Sequence, residues 1–230
     1  MRFSDAKRDQ YRILARENGY RSRSAYKLIQ LNLKYKLIRK GDVVVDIGCS
    51  PGGWLQVLSE QLGSTGKIIG VDLHSTEPLK NVIVLQGSVE DTSLAGDLLE
   101  ATNQYYDVFL SDLSPKVSGI WHYDHARQIS LSLNALQLAL KILRSGGSAI
   151  FKVFEGEMAN EFKEKVSDNF AKIMISKPKA SRQESSEFYI VCKNYTRQEI
   201  IQSVPASMLI TQCVSLRGNE IMPFKLEKVR

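Results

Sequence analysis

Short β-branched runs alternate along most of this chain with longer stretches in which apolar residues return at every third or fourth position. The first rhythm puts side chains on two faces of a strand, and the second lays them along one side of a helix. Strands are therefore expected at residues 43–45, 67–72, 82–86, 106–111, 148–153, 171–175 and 188–192, and helices at 54–62, 94–101, 127–143 and 158–169. Such alternation builds a mostly parallel sheet of seven strands covered on both faces, a Rossmann-like α/β fold. The polar, basic connection at 177–186 is too short for a crossover helix, so the last two strands should be antiparallel to each other. Gly146-Gly147 reads as a break between the long helix and the fifth strand.

Upstream of the first strand the pattern changes. Residues 5–18 have helical spacing but few large apolar side chains (Tyr11, Ile13, Leu14), and Gly19 is placed to end that helix, which should be mobile or face an RNA. A second helix follows, capped by Ser22 or Ser24, with the apolar stripe Ala25, Leu28, Ile29, Leu31 and Leu33. Lys27 sits near its start, where the helix dipole disfavours a cation, so that lysine answers to something other than helix stability. From Thr196 the alternation is lost. Three parts are expected: a basic helical extension over 1–40, an α/β domain over 41–195 and an appendage over 196–230.

Charge sharpens this division. Residues 1–40 carry twelve Lys and Arg against Asp5, Asp9 and Glu17, a net of +9 in a chain whose total is +6. Basicity concentrated at one end of a slightly acidic body suits a polyanion, most commonly nucleic acid, although a merely solvated basic helix would look the same. Cys49, Cys192 and Cys213 are widely spaced, with no C-x-x-C pair, and there is neither a signal-peptide pattern nor an apolar run of about 18 residues. A soluble, cytoplasmic, monomeric protein without a membrane partner is expected.

The chemistry concentrates at the turn Asp46-Ile47-Gly48-Cys49-Ser50-Pro51-Gly52-Gly53-Trp54 behind the first strand. Its glycine spacing is neither G-x-G-x-x-G nor G-x-x-x-x-G-K-[ST], which argues against NAD and ATP. An acid before the glycines and a second, Asp72, closing the next strand suit a ligand with an amine, a sulfonium and a ribose diol, as in S-adenosylmethionine. An ordinary glycine-rich turn with no ligand is the plainer alternative. Open α/β sheets bind ligands at the carboxyl ends of their strands. Asp112 lies there after the fourth strand, Lys152 interrupts the apolar fifth, and Glu187 opens the last. With Lys27 they place two lysines and two carboxylates on one rim, where mutual charge and apolar surroundings can tune a lysine for proton transfer.

The ordered segments Ser24-Ala25-Tyr26-Lys27-Leu28, Asp46 to Trp54, Ser111-Asp112-Leu113-Ser114-Pro115, Phe151-Lys152-Val153-Phe154-Glu155-Gly156 and Ser185-Ser186-Glu187-Phe188-Tyr189 together resemble the FtsJ family of RNA ribose 2′-O-methyltransferases, over about residues 8–195. The resemblance implies a seven-stranded methyltransferase fold and a Lys-Asp-Lys-Glu tetrad at Lys27, Asp112, Lys152 and Glu187, with Lys152 as the base. It implies S-adenosylmethionine held by Gly48, Gly52, Gly53, Trp54, Asp72 and Asp112. Bacterial heat-shock members carry Asp after Leu-Gln-Gly, whereas Ser88 stands here, so the adenine contact falls to Ser88 or Asp91. The implied substrate is RNA, foremost a uridine of large-subunit ribosomal RNA in the ribosomal particle. A transfer-RNA anticodon loop, an mRNA cap and a binding role in ribosome assembly without turnover remain open.

Three smaller signals remain. His122-Tyr123-Asp124-His125 has the composition of a metal cluster but falls in the loop after Pro115, and no metal is expected. Trp121 and Tyr123 are better placed to stack on a nucleotide. Lys177, Lys179 and Arg182 form a basic loop beside Glu187, suited to phosphate contact or to plain solvation.

Overall fold

The computed structural model describes residues 9–196. Arg8 and residues 197–230 of the expected appendage lie outside the described residues. The chain runs α1 (Gln10–Glu17), α2 (Ala25–Tyr35), β1 (Val43–Ile47), α3 (Gly53–Leu62), β2 (Lys67–Asp72), β3 (Val82–Gln86), α4 (Leu94–Thr102), β4 (Tyr106–Ser111), α5 (Trp121–Ile142), β5 (Leu143–Phe154), α6 (Ala159–Ser167), β6 (Phe170–Ser176) and β7 (Glu187–Tyr195). One sheet of order β3-β2-β1-β4-β5-β7-β6 contains all seven strands. β3 through β5 are parallel neighbours, and β7 runs antiparallel between β5 and β6, as the short basic connection requires.

The period of two sorts each strand between two cores. Val43, Val45 and Ile47 face the cluster holding Leu98 of α4, Ile129 of α5 and Phe162 of α6. Val44, Leu110, Ile150 and Tyr189 face the opposite cluster with Ala25, Leu28 and Leu31 of α2 and Trp54 and Leu58 of α3. Alternation then places Asp46, Asp112, Lys152 and Glu187 towards the α2 and α3 side. Helix α2 therefore shares a core with the sheet, and that packing carries Lys27 to the sheet's edge. Among the described residues no helix is long and apolar enough to cross a membrane.

Several local expectations change. Neither Ser22 nor Ser24 caps α2; Ser24 is already helical, and the two hydroxyls lie 2.6 Å apart and bond each other. Helix α1 is docked, with Ala15 buried and Tyr11 and Tyr20 both packed on Tyr26. Gly146-Gly147 does not separate helix from strand, because β5 starts at Leu143, opposite Tyr106. The register shifts before Val108 pairs with Ser148, so the diglycine forms an irregularity inside the strand. Gly146 has φ +77°, and a Cβ on Gly147 would come within 2.9 Å of the Arg144 carbonyl. Helix α5 begins six residues before the expected Arg127, which puts His122 to His125 in its first turns rather than in a loop. Asp124 closes that start by accepting from Ser118 N–H and Oγ, both at 2.8 Å, and from Gly119 N–H at 3.0 Å.

Candidate active site

β1 ends at Ile47 and β4 at Ser111, and the Asp112 N–H donates to the Ile47 carbonyl across their ends. This ties the loop carrying Asp112 to the glycine turn. Gly48 has φ +83°, and a Cβ there would meet Leu113 Cδ2 at 3.0 Å and Leu113 N at 3.2 Å, so the close approach it permits is between two turns of the protein. Gly52, at φ +104°, lies under Arg21, whose Nη1 a Cβ would meet at 2.6 Å, and a Cβ on Gly53 would overlap Ser22 Oγ. Arg21 in turn donates to the carbonyls of Glu77 (2.8 Å) and Pro78 (3.2 Å), joining the turn to the loop after β2. Both glycines thus admit the N-terminal segment. Trp54 likewise points inward: it is buried, and its Nε1 donates to the Ser24 carbonyl at 2.8 Å.

Beside this junction a cleft of about 280 Å³ opens at the carboxyl ends of β1, β2 and β4, lined by Gly48, Asp72, His74, Ser88, Asp112 and Leu131 among others. Asp72 shapes it, with Oδ2 accepting from Ser50 N–H at 2.9 Å and Oδ1 from His74 N–H at 2.8 Å. Ser88 lines the cleft and accepts from Glu90 N–H at 3.1 Å, whereas Asp91 lines a neighbouring cavity. Behind the turn, Asp46 is 1% exposed and neither carboxylate oxygen has a protein partner. Burial, reinforced by the charges of Asp112 and Asp72, raises its pKa well above the usual carboxylate range. The polar cleft rim, a carboxylate closing β2 and an orphaned buried acid fit an amine-bearing nucleoside such as S-adenosylmethionine. Gly48, Asp72, Ser88 and Asp112 are the expected contacts that border the cleft, while Gly52, Gly53 and Trp54 are not among its lining residues.

The four rim residues assemble as two ion pairs. Lys152 Nζ lies 3.1 Å from Asp112 Oδ1 and donates to the Asp112 carbonyl at 2.7 Å; Lys27 Nζ lies 2.5 Å from Glu187 Oε1. Lys27 and Lys152 are 8% and 6% exposed, so both pairs are shielded from water. Antiparallel register sets Tyr189 opposite Lys152 and Glu187 opposite Phe154. Tyr189 links the pairs, donating its hydroxyl to Asp112 Oδ1 at 2.8 Å while Lys27 Nζ stands 5.7 Å from its ring centre. Sequence reasoning missed this tyrosine, although its offset of two from Glu187 places it on the same face. The strand end is fixed from the other side, where the Lys152 carbonyl accepts from Gln128 Nε2 (3.0 Å) and Ser132 Oγ (3.2 Å) of α5. Burial pushes Asp112 up, but the ammonium groups of Lys152 and Lys27 and the Tyr189 hydroxyl outweigh it and hold the carboxyl below its ordinary range. Burial, with the Asp112 charge, drives Tyr189 well above the usual phenol.

The remaining candidates divide. Among the described residues no three His, Cys, Asp or Glu side chains are grouped to hold a metal ion. His125 is buried with Nε2 accepting from Met158 N–H at 3.3 Å, and Asp124 is occupied by Ser118 and Gly119. Lys177 is turned onto its own loop, donating to the Ser185 carbonyl at 2.7 Å. Arg182 faces Asp9 at 3.8 Å, and Arg23 pairs with Asp9 and donates to the Ala180 carbonyl. Part of the basic segment therefore holds the fold together, while Arg12, Arg16 and Lys179 are exposed.

Comparison with known proteins agrees with this geometry. The family model for FtsJ-like methyltransferase matches residues 20–195. A ribosomal RNA large subunit methyltransferase E of Nitrosopumilus maritimus is 45% identical over 195 residues, covering 85% of this chain and 99% of that protein. One of Methanocaldococcus jannaschii is 38% identical over 229 residues, covering 97% of this chain and 93% of its own. A crystal structure of a Plasmodium falciparum protein assigned as a ribosomal RNA methyltransferase superposes with a TM-score of 0.71 at 33% identity, over 78% of this chain and all of that one.

Proposed function

We infer the reaction from one premise, that this chain belongs to the FtsJ-like methyltransferase family: it transfers a methyl group from S-adenosylmethionine to a ribose 2′-hydroxyl of RNA. The observation that carries this reading is the doubly paired Lys27, Glu187, Lys152, Asp112 cluster at the carboxyl edge, directly beside the cleft that Asp112 also lines. Relatives named as large-subunit ribosomal RNA methyltransferases support that RNA as the substrate, with a uridine as the target. Cleft and cluster are built from one chain, as a monomer requires, and the proposed enzyme acts on the ribosomal particle in the cytoplasm.

When bound, S-adenosylmethionine supplies an activated methyl group on a sulfonium. The chain's part is to position and to move one proton. Lys152 acts in its neutral amine form, after the ammonium seen beside Asp112 has released a proton to solvent. It takes the proton that the 2′-hydroxyl gives up as the hydroxyl oxygen receives the methyl group, the C–S bonding pair remaining with sulfur. Asp112 stabilises the ammonium that forms, Tyr189 holds Asp112 in place, and the Lys27–Glu187 pair orients the ribose. Mapping 2′-O-methyl groups in total RNA from cells with and without the gene tests this. One large-subunit ribosomal site should disappear; loss only from transfer RNA or mRNA caps, or no loss, would overturn the assignment.

Two consequences are measurable on the purified protein. Asp72→Ala should weaken S-adenosylmethionine binding by roughly 10- to 150-fold, the equivalent of about 1.5–3 kcal/mol for a charged hydrogen-bond partner. Unchanged affinity by calorimetry would remove Asp72 from the cofactor site. RNA affinity should fall steeply with salt, and Arg12→Glu with Arg16→Glu should flatten the log–log slope by about 0.7–0.9 for each phosphate that is no longer neutralised. If the slope is unaltered, the phosphates lie elsewhere, with Lys179 the next candidate.

A further inference from the structure

Helix α5 starts with Trp121, which packs against the end of β5, the strand that carries Lys152. The Trp121 indole packs on Phe154 with ring centres 6.2 Å apart and planes 17° apart, and Phe154 is the register partner of Glu187 two residues beyond Lys152. It also stacks on His125 at 5.8 Å and 15°. These supports are fixed. His125 and Phe154 are buried, His125 is tied to the Met158 N–H, and Asp124 closes the turn before the helix. Gly156 completes the fit, since a Cβ there would reach the His125 ring at 2.6 Å.

Yet Trp121 is 45% exposed and Tyr123 56%, and Val117 and Ile120 beside them are 65% exposed each. An apolar, aromatic surface on a firm support marks a binding site more often than a packing accident. Its surroundings are cationic. The Arg127 guanidinium lies 5.5 Å from the Tyr123 ring centre and donates to the Lys116 carbonyl, and the side chains of Arg127 and Lys116 are exposed. Aromatic faces interleaved with exposed cations suit an unpaired nucleobase and its phosphates. A protein or lipid partner would leave the nearness of this patch to the Lys152 and Glu187 strand ends without a purpose.

We propose that Trp121 is a stacking platform for an unpaired base of the RNA within one nucleotide of the methylated ribose, with Arg127 and Lys116 receiving the flanking phosphates. The proposal rests on the methyltransferase reading and specifies how that substrate is seated. Pairing would hide a base inside a helix, so the platform selects a target presented in a loop or bulge.

The chain's two tryptophans make the test direct, because Trp54 is 2% exposed and Trp121 is not. A short oligouridylate should quench the Trp121 emission at saturation, judged by anisotropy, and the quench should vanish in Trp121→Phe. Trp121→Ala should raise the KM for under-methylated large ribosomal subunits by about 5- to 150-fold, the range of a lost base stack. Trp121→Phe should recover most of that loss, and the KM for S-adenosylmethionine should stay put in both. Saturated binding without quenching, or an unchanged RNA KM in Trp121→Ala, would overturn the platform while leaving the reaction intact. Quenching and weakened RNA binding in a protein that methylates no RNA would instead sustain the platform and refute the reaction.

Discussion

Lys152→Ala is expected to lower single-turnover methylation by about two to four orders of magnitude, the contribution of a positioned acid or base, while RNA and S-adenosylmethionine still bind. Affinity should survive because Asp72, Ser88 and the glycine turn do not contact the Lys152 ammonium, and Asp112, which lines the cleft and does pair with it, keeps the hydrogen bond from the Tyr189 hydroxyl. The strand end should also survive. The Lys152 carbonyl, held by Gln128 and Ser132, is backbone and is retained by alanine. Lys152→Arg is the sharper variant: it keeps a cation beside Asp112 but cannot take up a proton at neutral pH. A role confined to charge would tolerate arginine and a base would not. Single-turnover methylation near the wild-type rate in Lys152→Arg would therefore rule out proton abstraction by this side chain and leave the cluster as a positioning device.

That Lys27, Asp112, Lys152 and Glu187 come together was legible because each stands out in its local context. Lys152 sits in an otherwise apolar strand, Lys27 faces an unfavourable helix dipole, and Asp112 and Glu187 mark strand ends. The strands were legible for the opposite reason, since the β-branched runs satisfy period-two burial without conflict. What escaped were features fixed by contacts distant in sequence. Gly52 and Gly53 read as room for a ligand, but Arg21 and Ser22 fill the space above them. The Gly146-Gly147 pair read as a stop because nothing local shows that Tyr106 waits opposite Leu143. Helix α5 begins early because Asp124 reaches back to Ser118 and Gly119, a closure that periodicity cannot show. Tyr189 looked like a strand former, and its role appears only when β7 is laid antiparallel to β5.

Asp46→Asn should make the protein more stable at neutral pH, by on the order of 1–3 kcal/mol. Asp46 lies in the fully buried strand β1, both its oxygens lack protein partners, and its pKa is raised by burial and by the charges of Asp112 and Asp72. The sign follows from linkage. Below the unfolded pKa of about 4 both states carry the proton and the group is neutral in its effect. As pH rises past that value the unfolded chain releases the proton and the folded chain retains it, so stability declines up to the raised folded pKa. Asparagine cannot ionise, which removes the decline. The gain should be near zero at about pH 3 and largest at neutral pH and above, a rise in Tm of roughly 2–4 °C per kcal/mol for a chain of this size. S-adenosylmethionine affinity should move the other way, falling by about tenfold, because Asp46, although behind the cleft rather than on its lining, puts a carboxylate close enough to act through the turn on a bound ligand ammonium. Thermal unfolding across this pH range, with calorimetry on the same variant, decides the matter. A Tm difference independent of pH would mean Asp46 is not titrating between the two states, and unchanged affinity would show that the ligand's cation sits elsewhere.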